Sequence, residues 1–185
     1  EKDSKLGGTC LLRGCIPTKS LLHSADVVSE LEHAKKDGPI SGEIEFHYPA
    51  AQKARKKVVT KSAAGVAYLM KKNKIEVIKG EGKVLPGKKI EVKDADGKSQ
   101  TYSAKNVIIA TGARSRELPN LPQDGKKIIG YRQAMVLPEQ PKKLVVVGSG
   151  AIGVEFAYFY NAMGTEVTIV EYMPNIVPVE DEEVS

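Results

Sequence analysis

The chain has 185 residues with 28 Lys and Arg against 23 Asp and Glu, a formal net charge of +5, and 41% of its residues are hydrophobic. That composition is ordinary for globular protein, and no apolar run approaches the roughly 18 residues that cross a bilayer, so a helical membrane protein is not expected. Only 5% of the residues are aromatic, which leaves little to stack on bases and argues against a nucleic-acid partner.

The first residues are charged, unlike a secretory leader, and lead into Gly7-Gly8-Thr9 with no strand before them. From about Cys10 to Lys36, residues Leu21, Leu22, Ala25, Val28 and Leu31 recur at helical spacing, and Asp37-Gly38-Pro39 stops the pattern. Residues 40–48 read as loop, and a second helix runs from roughly Pro49 to Lys72. Its basic run, Lys53 to Lys61, alternates with small and apolar residues and reads as a solvated helix face rather than a nucleic-acid patch.

The period changes at Ile75. Short runs at Ile75–Ile78, Lys89–Val92 and Thr101–Ser103, separated by Gly80, Pro86-Gly87 and Asp96-Gly97, read as an antiparallel meander with tight turns. Asn106–Ala110 has the composition of a buried strand ending at Thr111-Gly112. Pro119, Pro122 and Asp124-Gly125 then mark a loop or linker.

A second organisation begins at Lys143. The apolar strand Leu144–Val147 runs into Gly148-Ser149-Gly150-Ala151-Ile152-Gly153, a helix follows to about Met163, and Gly164 precedes a strand from Glu166 to Glu171. A Gly-x-Gly-x-x-Gly between strand and helix, with an acid closing the next strand, is the context a dinucleotide fingerprint requires. Gly148 permits the turn, Gly150 admits the pyrophosphate, and Gly153 lets helix and strand pack closely. The phosphates would meet the N–H groups that open the helix. Glu171 can accept from both ribose hydroxyls and would repel a 2′-phosphate. No Arg or Lys stands at 172–174 to receive one, so NAD is favoured over NADP.

Cys10 and Cys15, the two cysteines, do not make a structural disulfide framework and fit a reducing, cytosolic-type compartment. Residues five apart in a regular helix have Cα atoms about 8.7 Å apart, whereas a disulfide needs roughly 4.4–6.8 Å. Bonding between them therefore requires a distorted backbone, which Gly14 and Pro17 can provide. Such a strained, accessible disulfide is the reducible kind. Zinc would need more soft ligands, and His23, His33 and His47 are not at ligand-like spacing, so no metal site is expected. Two unrelated thiols remain the alternative reading of the spacing alone.

The run Gly7-Gly8-Thr9-Cys10-Leu11-Leu12-Arg13-Gly14-Cys15-Ile16-Pro17-Thr18-Lys19, followed in order by the meander, Ala110-Thr111-Gly112 and the nucleotide motif, resembles the pyridine nucleotide-disulfide oxidoreductases over the whole chain. The ending Glu171-Tyr172-Met173-Pro174, with Val179-Glu180-Asp181 beyond it, resembles the branch of that family that oxidises protein-bound dihydrolipoamide. The resemblance implies an α/β fold of two Rossmann-like FAD/NAD(P)-binding domains, both incomplete. Residues 1–113 would be the FAD-binding domain, with the antiparallel β-meander but without its N-terminal βα and first Gly-x-Gly-x-x-Gly. Residues 114–185 would be the N-terminal part of the NAD-binding domain, and the chain is expected to be cut at both ends.

The resemblance also assigns roles. Cys10 would be the interchange thiol, and Cys15 would lie against the flavin as the charge-transfer thiolate. Lys19 would sit near the flavin N5, paired with Glu155 of the nucleotide motif. Glu1 stands at the spacing of the acid that binds the FAD ribose, Gly82 where backbone meets the adenine, and Thr111, Gly112 and Ala113 where the chain closes over the flavin. With Gly7, Gly8 and Thr9 these form the implied FAD set. The implied NAD set is Gly148, Ser149, Gly150, Ala151, Ile152, Gly153, Glu155 and Glu171. None of His23, His33 or His47 holds the position of the family's acid–base histidine.

The implied reaction is oxidation of protein-bound dihydrolipoamide to lipoamide, with electrons passing through Cys10 and Cys15 and FAD to NAD⁺. Mercuric and glutathione reductases are the competing members, NAD preference speaking against the second. For the chain taken alone, a non-catalytic nucleotide-binding module is the other reading. The implied partners are a second copy in a homodimer and the lipoyl domain of a 2-oxoacid dehydrogenase or glycine cleavage complex. The implied location is cytoplasmic, or the mitochondrial matrix in a eukaryote.

Overall fold

A computed structural model describes residues 1–38 and 40–185. In chain order the elements are α1 (Gly8–Arg13), α2 (Cys15–Asp37), α3 (Tyr48–Lys72), β1 (Glu81–Leu85), β2 (Lys89–Lys93), β3 (Ser99–Ser103), α4 (Tyr131–Ala134), β4 (Lys143–Val147), α5 (Ala151–Ala162) and β5 (Glu166–Val170). Pro39, read above as part of a helix stop, lies outside the described residues.

The single helix expected from Cys10 to Lys36 is two. Gly14 breaks it at φ −136°, ψ −115°, a conformation no helix interior contains. A Cβ on Gly14 would lie 2.9 Å from the Thr9 carbonyl oxygen and 3.3 Å from the Cys10 Cα. Only a glycine lets the chain double back this closely on the turn that carries Cys10. Beyond the break, α2 is restarted by the Thr18 N–H and hydroxyl, which donate to the Gly14 carbonyl at 3.1 and 2.8 Å. The second helix starts where expected, with Pro49 in the first turn, where its missing N–H costs nothing.

The meander is present but displaced. Strands β1, β2 and β3 pair antiparallel in that order, with Val84 opposite Ile90 and Ile90 opposite Tyr102. The expected strand Ile75–Ile78 is not one. Its Ile75 N–H turns back to the Met70 carbonyl at 2.9 Å, and at its far end Glu1 N–H donates to the Ile78 carbonyl at 3.0 Å and the Glu1 carbonyl accepts from Gly80 N at 3.1 Å. Strand β1 lies instead on Glu81-Gly82-Lys83-Val84-Leu85, whose composition carries no alternation. The expected buried strand Asn106–Ala110 is irregular, with Ile108 90% and Ile109 72% exposed. A strand exists only where another backbone completes its ladder, and β-propensity by itself does not provide one.

Strands β4 and β5 pair in parallel across α5, with Val146 beside Ile169, so the expected βαβ unit is observed. The core lies where α5 meets α2 and the start of α3. It comprises Leu21, Ala25, Tyr48, Met135, Phe156, Phe159, Tyr160 and Met163. Phe159 and Tyr160 meet edge to face with centroids 5.0 Å apart, a favoured aromatic geometry. Burial pushes the Tyr160 phenol far above its ordinary pKa, so it stays a donor, and its hydroxyl donates to the Ala134 carbonyl. Tyr48 donates to the Leu137 carbonyl at 3.0 Å and accepts from Gln52 Nε2 at 2.9 Å. Among the described residues no buried side-chain nitrogen or oxygen lacks a partner, as a stable interior requires. This shared core locks the cysteine-bearing helix against the helix of the glycine-rich turn.

Candidate redox and nucleotide site

Cys10 sits in α1 and Cys15 opens α2, on either side of the Gly14 break. Both are free thiols and both are exposed. The Gly14 break brings the start of α2 back against the turn that carries Cys10, where a Cβ on Gly14 would lie 3.3 Å from the Cys10 Cα. The influence of Cys15 is the chief cause that pushes the Cys10 thiol above its ordinary pKa, with desolvation second. The raised pKa keeps Cys10 in its thiol form at neutral pH. Two exposed thiols on either side of one backbone break are accessible to exchange with an incoming disulfide or dithiol.

One turn beyond Cys15, the Lys19 ammonium pairs with the Glu155 carboxylate of α5. This contact joins the dithiol helix to the nucleotide helix. On the other side of the dithiol, the Arg13 guanidinium pairs with Asp3, and Lys79 Nζ donates to the Asp3 carbonyl at 3.0 Å. Those contacts fasten residues 1–6 beside α1 and were not anticipated, because each residue is an ordinary surface charge in the sequence.

The glycine-rich turn has the shape its spacing demands. Gly148 adopts φ +97°, a region that favours glycine. A Cβ on Gly153 would lie 2.2 Å from the Gly148 carbonyl oxygen and 3.2 Å from Val146 Cγ1. Around the Cβ positions of Gly148 and Gly150 nothing stands within 4 Å, and no side chain caps the N-terminus of α5. The opening N–H groups of the helix are thus available to an anion, in a cradle that fits a dinucleotide phosphate.

Glu171 faces this turn. Its Oε2 accepts from the Ser149 N–H and hydroxyl, each at 2.7 Å, and Oε1 accepts from the Met173 N–H at 2.8 Å. A carboxylate offers about four lone-pair sites, so Oε1 retains capacity for a ribose hydroxyl. These donors, Met173 N–H first, hold the Glu171 pKa down to about 2 from an ordinary 4.5. A carboxylate whose pKa is depressed on folding adds stability that is fully present above its unfolded value and lost as pH falls through the folded one. Glu171→Gln is therefore expected to weaken the fold above pH 4.5 and to make no difference near pH 2. Denaturant midpoints of both proteins across that window check it, and a difference that persists to the acid limit counts against the carboxylate.

The residues expected at a flavin fall into two groups. Gly7, Gly8 and Thr9 lie beside the 111–113 segment: a Cβ on Gly112, which has φ +81°, would be 3.9 Å from Thr9 Oγ1. Thr111 and Ala113 are exposed next to it. Glu1 lies against Gly80, two residues before Gly82 in β1. Its carboxylate accepts from the Asp3 N–H at 2.8 Å.

The family model described as pyridine nucleotide-disulphide oxidoreductase matches residues 3–185. The chain is 49% identical over 180 residues to a dihydrolipoyl dehydrogenase of Zymomonas mobilis, covering 97% of this chain and 39% of that protein. It is 47% identical over 180 residues to a dihydrolipoyl dehydrogenase of Chlorobaculum tepidum, covering 97% and 38%. The crystal structure of LpdA from Mycobacterium tuberculosis superposes with a TM-score of 0.85 at 30% identity, covering 97% of this chain and 40% of the other. The chain thus spans about two fifths of the length of the curated relatives it matches.

Proposed function

The chain belongs to the pyridine nucleotide-disulphide oxidoreductase family, and on that premise we propose that the protein oxidises protein-bound dihydrolipoamide to lipoamide, moving two electrons through Cys10 and Cys15 and FAD to NAD⁺. The observation that supports this reading is the placing of two exposed thiols on either side of the Gly14 break, one turn from the Lys19–Glu155 pair. In this reading residues 1–113 belong to a Rossmann-like FAD-binding domain and 114–185 to a Rossmann-like NAD-binding domain. A homodimer, a lipoyl domain as the substrate carrier and a cytoplasmic setting follow from the same assignment. Among the described residues no helix is long and apolar enough to cross a membrane.

Gly148 to Gly153 would hold the NAD pyrophosphate and Glu171 the ribose. Glu1, Gly7, Gly8, Thr9, Lys19, Gly82 and Thr111 to Ala113 would line the FAD. When bound, the flavin would supply a two-electron acceptor for the dithiol, and the nicotinamide a hydride acceptor for the reduced flavin. The thiol steps belong to this chain. A substrate thiolate attacks the Cys10 sulfur of the oxidised pair, the S–S bond breaks, and Cys15 leaves with the electron pair. The second substrate thiolate displaces Cys10 and closes lipoamide, so the substrate loses two electrons and two protons while the pair becomes a dithiol. Cys10 retains a proton at the end because the nearby Cys15 and desolvation favour its thiol form.

The expected result is NADH formation from dihydrolipoamide and NAD⁺ by the protein, with little activity when NADP⁺ replaces NAD⁺. Faster reduction of Hg²⁺ or glutathione disulfide by NADPH would assign the chain to another branch of the family.

A further inference from the structure

Lys19 and Glu155 are not the only polar link between α2 and α5. The Tyr158 hydroxyl donates to Asp26 Oδ1 at 2.9 Å. Asp26 lies two helical turns after Lys19 on the same face of α2, and Tyr158 lies one turn after Glu155 on α5. Between the two links the helices meet through buried Leu21 and Ala25 on one side and Phe156, Phe159 and Tyr160 on the other. That interface is apolar and non-directional, so it resists separation more than it resists sliding or rotation. Lys19 is 62% exposed in its side chain, and an ion pair this open does not hold a geometry by its own strength. A neutral phenol donating to a carboxylate is directional and charge-assisted. Because the carboxylate accepts this hydrogen bond, the Tyr158 phenol is pushed above its ordinary pKa and remains a donor.

We propose that Tyr158 and Asp26 are positioning residues that set the register of α2 against α5 and so keep Lys19 and Glu155 paired between the dithiol and the nucleotide turn. This rests on the reading of Lys19 and Glu155 as the pair between flavin and nicotinamide, and adds what holds that pair in place. With one cross-link the helix pair can pivot about it. With two, separated along α2, it cannot. Neither Tyr158 nor Asp26 touches the dithiol or the glycine-rich turn, and Tyr158 is 40% exposed, so its replacement leaves the core intact.

The test has a readout that needs no cofactor and one that does. In Tyr158→Phe, acylation of Lys19 by a small amine reagent, followed residue by residue by mass spectrometry, is expected to quicken several-fold while Lys53 and Lys143 label as before. Asp26→Ala should behave like Tyr158→Phe. Asp26→Asn keeps an acceptor oxygen and should stay like the unaltered protein. In turnover, Tyr158→Phe is expected to lower kcat with NAD⁺ by about tenfold, since small misplacements at a reacting centre are costly. The KM for dihydrolipoamide and the rate of dithiol formation with dihydrolipoamide should not change. A Lys19 labelling rate that is the same in all three variants overturns the proposal, as does an equal fall in both half-reactions. If the labelling pattern holds but the unaltered protein does not reduce NAD⁺ with dihydrolipoamide, the positioning role stands and the assigned reaction falls.

Discussion

Cys10→Ser and Cys15→Ser are each expected to reduce dihydrolipoamide-dependent NADH formation by at least about a thousandfold, the scale seen when a nucleophile acting as one of a unit is removed. The two sulfurs are one functional group: a disulfide cannot close on a serine, so either change removes the electron-accepting bond altogether. Both thiols are exposed and neither belongs to the buried core, so the denaturant midpoint should move by no more than about 0.5 kcal/mol. That separation of activity from stability is the signature of a redox pair. The variants also differ from each other. Cys10→Ser should keep a long-wavelength thiolate–flavin absorbance because Cys15 remains, and Cys15→Ser should lose it. Retention of the band in Cys15→Ser would reverse the two roles, and substantial turnover in either variant would remove the dithiol from the reaction.

The second large effect concerns the glycine-rich turn. In Gly153→Ala the new methyl would stand 2.2 Å from the Gly148 carbonyl oxygen and 3.2 Å from Val146 Cγ1. Neither neighbour can yield alone. The Gly148 N–H is bonded to the Val170 carbonyl at 2.8 Å, and Val146 is fixed beside Ile169 in the ladder. Helix α5 must therefore lift from β4, at a cost of about 1–3 kcal/mol typical of overpacking. The displaced N–H groups would lose the phosphate they are aimed at. We expect the denaturant midpoint to fall and NADH affinity, followed by fluorescence, to drop by about a hundredfold. Gly150→Ala separates the two contributions. Its methyl meets nothing within 4 Å, so the fold should keep its stability while the methyl enters the space left for the pyrophosphate. A Gly153→Ala protein as stable as the original would contradict the close packing of helix and strand.

Local chemistry explains what was legible beforehand. The motif from Gly7 to Lys19 and the turn from Gly148 to Gly153 could be read because each depends on residues adjacent in the chain. Such positions are constrained by backbone sterics, whatever surrounds them. The same holds for α3, which starts within one residue of the expected boundary because Pro49 marks its first turn. Asn106–Ala110 misled because an apolar run specifies only that a strand would suit the place. Whether a ladder forms there depends on backbone from elsewhere in the sequence. Asp26 and Tyr158 gave no signal at all. They are 132 positions apart, and each is an unexceptional helix-surface residue until the two helices pack.

The chemistry of the two motifs could be read from neighbouring residues alone: a cysteine pair interrupted by glycine, and a glycine turn followed by an acid. The pairing of Lys19 with Glu155 was expected only from the family resemblance. How the motifs are joined emerges from the packing of the helices. Gly14 breaks the helix between the two thiols and folds the start of α2 back against the turn that carries Cys10. The apolar faces of α2 and α5 then bury each other around Leu21, Phe159 and Tyr160. That burial is non-directional and cannot be counted from spacing along one helix. It nevertheless carries the polar links Lys19–Glu155 and Asp26–Tyr158 into reach, and with them the relation between the dithiol and the nucleotide turn.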